Sequence, residues 1–581
     1  MTILKLKKYL RPYKGEYIWG SIALMFTVIS GVLVPWLLQY PIDILKTTGA
    51  NRQFFMSIGI FLLAALFSGI FRYFMRKVLI GVSRKIENDL RNDLFAHLQS
   101  LSLSFYHRFR TGDIMARATN DINAVRNLLG HGIMYFLSTF FYTLFALAMM
   151  SRIDVKLTLL ALIPFPIVSF GVYRMMKYLY HISNRVQSIF SDITAKAQEN
   201  FSGIRVVKAY NQERNQFHQF EKIAGNYLRQ NIKLALLRGG THAGITLITG
   251  LGLVLIIYFG GREVMAQKIS LGKFVSFLAY MAQLTWPMIA IGWVINIFQM
   301  GSASLHRIYE YFDIRPEIRD TDEADNSIMD LNGTIELKHV YFRYNPKADY
   351  VLHDITFSIG AGELVAIVGE TGSGKSSMVN VITRLYQIQK GSITISGYPL
   401  EKIPLKILRE KMGVVPQEDF LFSETIAENI AFSDHYKEME EILAAADVAR
   451  IGEEIVEFSD QYDTLLGERG INVSGGQKQR LAIARAVLKK PTILILDDAF
   501  SAVDTVTEKR ILQNLKKDFP VTTKIIISHR VTSLRDADQI LVFHDGKVVE
   551  SGKHEELMRR NGKYAALFFK QLLQEELEKI D

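Results

Sequence analysis

Residues 364–376 read LVAIVGETGSGKS, and this stretch decides the fold of the second half of the chain. Two glycines separated by four residues and followed by Lys-Ser form a pattern typical of phosphate-binding loops. The apolar run 364–368 predicts a strand and residues 376–385 predict a helix, so backbone N–H groups would face an anion at the helix N-terminus. The predicted phosphate site comprises Gly369, Glu370, Thr371, Gly372, Ser373, Gly374, Lys375, Ser376 and Ser377.

The side chains of Lys375 and Ser376 indicate the ligands of this loop. A lysine at this point of the pattern reaches the β- and γ-phosphates of a nucleotide, and the serine hydroxyl completes the shell of a Mg²⁺ ion bridging those phosphates. We therefore expect ATP and Mg²⁺ as cofactors of this half of the chain.

Two further residues are expected to contact the same nucleotide. Tyr344 lies 25 residues before Gly369, where its ring could stack on adenine. Gln417 follows a strand-like run and could reach both the Mg²⁺ ion and the attacking water.

A second anion-binding helix start follows later in the chain, at Val473, Ser474, Gly475, Gly476 and Gln477. The two glycines precede a helix whose apolar positions recur at spacings of three and four, and the serine hydroxyl is an added donor. Two helix N-termini of one domain cannot easily bind the phosphates of the same nucleotide. We therefore expect the second to bind the nucleotide of a partner domain, so that two domains close head-to-tail around two ATP molecules.

Acidic residues and a histidine complete the predicted site. Residues 493–497 form an apolar run ending in Asp497, as expected of a buried parallel strand that holds Mg²⁺ through its last residue; Asp498 follows directly. Ser501 and Asp504 belong to a loop expected to face the partner domain. His529 ends another apolar run, where it could contact the γ-phosphate.

The first half of the chain contains six stretches without Asp, Glu, Lys or Arg. Each is close to or longer than the about 20 residues with which a helix crosses a bilayer. Buried core helices are the alternative, but six such runs in one half-chain favour a membrane domain. The expected spans are residues 17–42, 53–71, 127–151, 157–173, 239–261 and 274–306.

Two long connections, residues 72–126 and 174–238, separate these spans. Both exceed ordinary loop lengths, and their helical composition predicts two arms, each a pair of helices extending beyond the membrane. Lys and Arg are dense there, which places the arms, the N-terminus and the ATP-binding half on the cytoplasmic side. Small residues interrupt the pattern near 111–121 and 203–213. Each interruption could be a plain hairpin turn or a short crosswise helix resting on another domain.

Composition agrees with a membrane protein. The formal charge of +10 fits either nucleic-acid binding or basic cytoplasmic loops, and the apolar half of the chain favours the second, so no nucleic-acid partner is expected. The chain has no cysteine, which excludes disulfides, thiolate metal sites and cysteine nucleophiles.

Together these motifs resemble those of bacterial ABC exporter half-transporters of the multidrug and lipid type. The resemblance implies an α-helical polytopic membrane domain (residues 1–312) with six transmembrane helices and long cytoplasmic extensions, followed by an α/β P-loop ABC nucleotide-binding domain (residues 334–581). A charged and polar linker, residues 313–333, joins them. The resemblance further implies a dimer of two half-transporters in the cell membrane, in contact with lipid, and alternating access driven by ATP.

The same resemblance assigns roles to two short segments. Residues 203–213 are similar to the helix that couples the membrane domain to the partner's ATPase domain. Glu468, Arg469 and Gly470 resemble the exporter loop that senses the 473–477 segment, which is the family's signature.

One position departs from the family pattern. The residue after the strand-ending Asp497 is usually Glu, the general base for the attacking water, and here it is Asp498. We therefore expect slow hydrolysis at this site, and favour a heterodimer in which the partner carries the Glu. A slow homodimeric exporter or lipid flippase, and an ATP-gated channel or regulator, are the alternatives.

The sequence does not identify the substrate. Span six offers Phe277, Tyr280, Met281, Gln283, Trp286 and Met288, which would suit a permissive apolar cavity. Helix packing and lipid contact explain each of them equally well. A small amphipathic or hydrophobic substrate is expected, and drug, lipid and peptide all stay open.

Overall fold

The computed structural model describes residues 5–578 apart from 322, 435–436 and 468–469. The chain forms two compact units. The first comprises Met1–Gln99 and Gly112–Asp313, and the second comprises Ser100–Thr111 and Ile314–Asp581. The predicted linker at 313–333 therefore begins where the first unit ends.

Helices make up the first unit. They are α1 (Lys7–Leu10), α2 (Lys14–Thr48), α3 (Arg52–Ser100), α5 (Thr111–Ile153), α6 (Val155–Leu162), α7 (Pro164–Ser202), α8 (Ile204–Ala209), α9 (Glu213–Met265) and α10 (Leu271–Phe312). The remaining helix, α4 (Leu103–Arg108), belongs to the second unit. Helix α5 contains two wider π-helical turns, at Arg117–Asp121 and Leu128–Gly132.

Four of the described helices are long and apolar enough to cross a membrane: α2, α3, α5 and α10. They contain the predicted spans 17–42, 53–71, 127–151 and 274–306. The other two predicted spans, 157–173 and 239–261, lie in α6, α7 and α9, where some side chains are outside the description. Those two spans stay predictions.

The two predicted arms are pairs of long helices. Helix α3 continues to Ser100 and α5 returns from Thr111, while α7 continues to Ser202 and α9 returns from Glu213. A buried carboxylate stabilises the first arm: Glu87 accepts from Arg91 at 2.8 Å and lies 3.4 Å from Arg126, which is on the returning helix. Burial by itself would raise the pKa of Glu87, but the two arginines outweigh it and lower the pKa.

Residues 111–121, which were expected to form either a hairpin turn or a short crosswise helix, form neither, and their coupling role stays a prediction. The short helix is α4 (Leu103–Arg108), bounded by extended backbone at Ser102 and Phe109, while residues 111–121 form the first turns of the long helix α5. Gly112 does not interrupt that helix, because glycine can adopt helical angles. In the second arm, α8 (Ile204–Ala209) lies inside the expected segment 203–213.

The strands of the second unit form two sheets. Their bounds are β1 Ile335–Phe342, β2 Leu352–Ile359, β3 Leu364–Gly369, β4 Lys390–Ile395, β5 Tyr398–Pro399, β6 Met412–Val415, β7 Ile493–Asp497, β8 Thr523–Ile527, β9 Gln539–His544 and β10 Lys547–Gly552. Strands β2-β1-β4-β5 form an antiparallel sheet. Strands β10-β9-β3-β8-β7-β6 form the main sheet, which is parallel except for β10.

The helices of this unit pack around the two sheets. They are α11 Lys375–Ile382, α12 Leu405–Lys411, α13 Ile426–Ile430, α14 Met439–Val448, α15 Gly452–Val456, α16 Gly475–Leu488, α17 Thr505–Asp518, α18 His554–Arg560 and α19 Lys563–Glu578. Every residue of β7 and β8 is buried, as in a parallel strand covered on both faces. The carboxyl ends of β3, β7 and β8 meet at one edge, which is where such sheets bind ligands.

Helix α4 contacts the rest of the second unit through polar and apolar groups. The Ser104 hydroxyl donates to Glu317 at 2.7 Å, and the Ile318 N–H donates to the hydroxyl of Ser102 at 2.9 Å. Leu103 packs against the apolar core beneath the antiparallel sheet. This segment is therefore part of the ATPase unit, although the sequence places it between two membrane helices.

Candidate functional site

The phosphate loop connects β3 to α11 in the predicted order. Gly369 has φ 153°, and a side chain there would collide with the Phe543 carbonyl; Gly374 has φ 99°, in the left-handed region that favours glycine. These two glycines let the loop turn so that the N-terminus of α11 faces the end of the sheet.

Lys375 is buried, with 6% of its surface exposed. Its Nζ donates to the carbonyl oxygens of Gly369 at 2.9 Å and Glu370 at 2.7 Å. Burial lowers the pKa of the Lys375 ammonium, and the nearby carboxylates of Asp497 and Asp498 oppose that shift. The loop thus holds the ammonium beside the helix N-terminus, ready for a polyanion.

A cavity of about 300 Å³ lies at this sheet edge. It contains residues from four of the five features predicted to bind nucleotide in this chain, and Tyr344, the fifth, is not among its lining residues. Its lining includes Thr371, Gly372, Gly374, Lys375, Ser376, Ser377, Gln417, Asp497, Asp498 and His529. Residues that are more than a hundred positions apart in sequence therefore meet at one site.

The residues expected to bind Mg²⁺ fit that ion. Asp497 is 4% exposed, and its Oδ1 is buried with no hydrogen-bond partner in the described part of the chain. The hydroxyl of Ser376 bonds to the Asp497 carboxylate, yet burial keeps the pKa of that carboxylate raised. An uncompensated buried carboxylate oxygen beside a hydroxyl provides the hard oxygen ligands that Mg²⁺ prefers. Gln417, at the same cavity, is exposed and can add an amide oxygen.

Asp498 and His529 face the cavity from neighbouring strand ends. Asp498 has φ 54°, a left-handed conformation that Asp tolerates better than most residues, and its N–H donates to the Ile527 carbonyl at 2.9 Å. Burial raises the pKa of the Asp498 carboxyl, while the charges of His529 and Lys375 oppose the rise. Both side chains are half-buried, so a water at the cavity could reach them.

Tyr344 lies beside the phosphate loop. Its hydroxyl is 2.9 Å from the Ser377 hydroxyl, and its ring meets those of Phe342 and Tyr386 edge-on. Tyr344 is 46% exposed, which leaves its side chain accessible to an adenine base.

The signature segment 473–477 is not among the residues that line the cavity. Ser474 caps α16: its hydroxyl accepts from the N–H of Gln477 at 3.2 Å, and the Gln477 side chain accepts from the N–H of Ser474 at 2.9 Å. Ser474 and Gly475 are exposed, so this helix start is open to solvent. Of the expected sensing loop, Gly470 is described with φ 65°, whereas Glu468 and Arg469 lie outside the described residues.

The loop after β7 is held from within the chain. The Ser501 hydroxyl accepts from Gln479 at 2.8 Å, and the Asp504 carboxylate accepts from the N–H groups of Val506 and Thr507 as the cap of α17. The bonds to these N–H groups and to the Thr507 hydroxyl lower the pKa of Asp504. Both residues are exposed, as a partner-facing loop requires.

Sequence reasoning missed two charged groups around the site. Arg530, next to His529, forms an ion pair of 3.0 Å with the fully buried Glu508 and donates to the carbonyls of Ser501 and Val503. It therefore connects the histidine strand to the partner-facing loop. The sequence feature that could have pointed to Arg530 is its position directly after His529.

The second missed group is Asp419, two residues after Gln417. Its Oδ1 is buried without a hydrogen-bond partner among the described residues. Burial raises the pKa of Asp419 to about 6; the charges of Arg485 and Lys478 oppose the rise, and that of Asp498 adds to it. Nothing in the local sequence, in which Glu418 and Asp419 follow Gln417, indicated that an oxygen of Asp419 would be buried.

Comparison with known families matches both halves of the chain. Residues 18–288 match the family described as ABC transporter transmembrane region, and residues 352–501 match the family described as ABC transporter.

Named relatives match over nearly the whole chain. The "Probable multidrug resistance ABC transporter ATP-binding/permease protein YheI" of Bacillus subtilis (strain 168) is 35% identical, over 98% of this chain and 98% of that protein. The "Multidrug resistance-like ATP-binding protein MdlA" of Escherichia coli (strain K12) is 34% identical, over 99% and 97%. The "ATP-dependent lipid A-core flippase" of Syntrophus aciditrophicus (strain SB) is 32% identical, over 98% and 94%.

A solved structure, "Structure of a bacterial Atm1-family ABC exporter with ATP bound", superposes with a TM-score of 0.78 at 26% identity, covering 96% of this chain and 99% of that one. The chain therefore belongs to the ABC exporters, as a multi-pass inner-membrane protein whose helical transmembrane domain is fused to a cytoplasmic, ATP-binding ABC domain.

Proposed function

We propose that this chain is the degenerate-site subunit of a heterodimeric exporter that moves a small amphipathic or hydrophobic substrate across the membrane by alternating access. Its partner would be a second half-transporter that carries the Glu general base. The multidrug and lipid A-core proteins among its relatives support a substrate of this kind.

The observation that carries the proposal is the pair of carboxylates in the ATP cavity. Asp497 and Asp498 are the only acidic residues that line it in the described part of the chain. Asp498 is one methylene shorter than Glu, which withdraws its carboxylate by about 1.5 Å. Because a misplacement of about 1 Å can cost on the order of 100-fold in rate, this site is expected to hydrolyse ATP slowly.

The other residues of the cavity are suited to holding ATP. Lys375 would bind the β- and γ-phosphates, Tyr344 the adenine, and His529 the γ-phosphate. Ser376, Gln417 and Asp497 would hold Mg²⁺, which supplies positive charge to neutralise the phosphate oxygens. Asp498 would orient the attacking water and accept its proton, from too far away to do so quickly.

The signature segment supports the asymmetric arrangement. The segment is intact, and Ser474 and Gly475 are exposed, so this helix start could complete the partner's site around its own phosphate loop. The partner's site would then be the fast one. The site of this chain would keep ATP bound and the two ATPase domains engaged between cycles.

Three substitutions test the proposal in the full-length chain purified with its native-membrane partner. Ser474→Arg blocks the helix start facing the partner's nucleotide and should stop nearly all ATP turnover. Asp498→Asn should reduce turnover only slightly, since it affects the slow site. Asp498→Glu should raise hydrolysis at this chain's own site by up to about 100-fold.

The subunit composition of the purified transporter provides an independent test of the heterodimer. Copurification from native membrane should yield a second, different half-transporter at one-to-one stoichiometry. The proposal fails if a homogeneous preparation of this chain transports substrate by itself and Asp498→Asn abolishes that transport, because Asp498 would then be the working base.

A further inference from the structure

A second cavity lies among the membrane helices of the first unit. It has a volume of about 340 Å³, and α2, α3, α5 and α10 each contribute to its wall. One part of its lining is apolar and aromatic, with Met75, Met134, Tyr135 and Trp286. A cavity of this size lies at the lower end of the range for small-molecule sites.

Two arginines of α3 line the same cavity. Arg72 and Arg76 are four residues apart and therefore lie on one face of the helix. No Asp or Glu is among the lining residues, and neither arginine has an ion pair or hydrogen bond among the described residues. Further along the same helix, by contrast, Arg84 and Arg91 both pair with Glu87. The cavity thus carries two uncompensated positive charges.

The position of these arginines along α3 makes them informative. Arg72 directly follows the predicted span 53–71, but the cavity that the pair lines also includes Val28, Ser138 and Gln283, which lie inside the predicted spans 17–42, 127–151 and 274–306. The two arginines therefore lie at the depth of the membrane-spanning helices. An ionisable residue at this depth is costly unless it faces a cavity, water or an opposite charge, and such residues mark substrate pathways.

The span-six residues named from the sequence fall into two groups, those that line this cavity and those that do not. Gln283 and Trp286 line the cavity, whereas Phe277, Tyr280 and Met281 pack in the helix core and the Met288 side chain lies outside the description.

We propose that this cavity binds an anionic amphiphile, whose negative group pairs with Arg72 and Arg76 and whose apolar part lies against Met75, Met134, Tyr135 and Trp286. Guanidinium groups bind carboxylate, phosphate and sulfonate oxygens through charge-assisted hydrogen bonds. Met and aromatic side chains adapt to apolar bodies of different shapes. This inference rests on the proposed export of an amphipathic substrate and names its charge.

The test uses the full-length chain with its copurified partner in liposomes. Two soluble probes share a naphthalene body but differ in charge, one an aryl sulfonate and the other an aryl ammonium. A fluorescent phosphatidylglycerol provides the lipid arm. We expect the sulfonate, the phosphatidylglycerol or both to stimulate ATP hydrolysis and to be transported, and the ammonium probe to do neither. Whichever anion is active identifies whether the source is a soluble compound or a membrane lipid.

Substitutions at the arginines link the effect to this cavity. Arg72→Ala and Arg76→Ala should each weaken the apparent affinity for the active anion by about tenfold, while Arg72→Lys keeps part of it. Lys77→Ala is the matched control, because Lys77 is adjacent on the same helix but does not line the cavity. The Arg72→Glu/Arg76→Glu double variant should respond to the ammonium probe instead, a gain that misfolding cannot produce.

The possible outcomes distinguish a failure of this inference from a failure of the proposed export function. If the ammonium or neutral amphiphiles are transported and the arginine variants behave like Lys77→Ala, export stands and the anionic cavity is refuted. If no amphiphile of any charge stimulates hydrolysis or is transported, the proposed function fails and the inference falls with it.

Discussion

Lys375 illustrates how the site is organised residue by residue. Its ammonium is held by two backbone carbonyls of its own loop and lies in the field of the two carboxylates that end β7. A buried cation kept in place by neutral acceptors costs free energy that a polyanionic ligand can offset. The arrangement is thus prepared for triphosphate before ATP arrives.

The first residue-scale prediction concerns Lys375→Ala. Removing the positive charge that faces the β- and γ-phosphates should weaken ATP binding at this site by about 100-fold or more. Photolabelling of this chain with an azido-ATP analogue measures that site separately from the partner's. As a control, the Lys375→Ala protein without nucleotide should unfold at the same temperature as the unsubstituted protein. Undiminished azido-ATP labelling of the variant would refute the assignment of the phosphate loop.

The second residue-scale prediction concerns Asp419→Asn and pH. Burial raises the pKa of Asp419 from 3.8 to about 6 in the folded protein. The folded state therefore binds more protons than the unfolded state between these values, and the stability due to this group is lost as pH rises through about 6. The Asp419→Asn variant has no carboxyl group at this position, so its stability does not fall in this way as pH rises.

Thermal unfolding of the full-length protein checks this sign. At pH 7.5, Asp419→Asn should raise the apparent Tm by about 2–4 °C, and the gain should shrink at pH 5. The exposed neighbour Glu418 provides the control variant, Glu418→Gln. A destabilised Asp419→Asn protein at pH 7.5 would contradict the pKa assignment.

At the scale of single elements, the tips of the two arms are the parts that we expect to carry movement between the domains. Helix α4 belongs to the ATPase unit of its own chain. Helix α8, in the second arm, and the residue that follows it expose large side chains instead: Val206 is 62% exposed and Tyr210 is 73% exposed. Exposed apolar groups at an arm tip suit a contact with a partner ATPase domain.

The element-scale prediction is that deleting Gly203–Glu213 leaves ATP binding intact but uncouples hydrolysis from transport. Without this tip, the second arm cannot carry domain closure to the membrane helices. Val206→Asp should have the same effect in milder form, while Asn215→Asp, an exposed change beyond the segment, should have none. Normal substrate stimulation of the ATPase in the deletion variant would show that the coupling role is wrong.

For the molecule as a whole, the net charge of +10 fits an exporter subunit without any nucleic-acid function. The long arms carry many of the basic residues, on the side where positive residues orient a membrane protein. The remaining question at this scale is stoichiometry. A homodimer would contain two slow sites, whereas a heterodimer would combine one slow and one fast site, and the two assemblies differ in how they respond to Asp498→Asn.

The sequence by itself determined the elements whose chemistry depends on local spacing. The strand, phosphate loop and helix at 364–382 follow from a short pattern, because glycine angles and helix direction are fixed by a few adjacent residues. Four of the spans follow from composition alone, because a bilayer selects length and apolarity. These features need no knowledge of distant contacts.

Only the tertiary structure decided which distant residues meet. It placed α4 in the ATPase unit, through Ser104–Glu317 and the packing of Leu103, where the sequence pattern favoured 111–121. It also buried one carboxylate oxygen of Asp419, and it gave Arg72 and Arg76 no ion pair among the described residues in a cavity lined by four helices. Burial and charge pairing depend on neighbours from remote parts of the chain, and these energies leave no local pattern in the sequence.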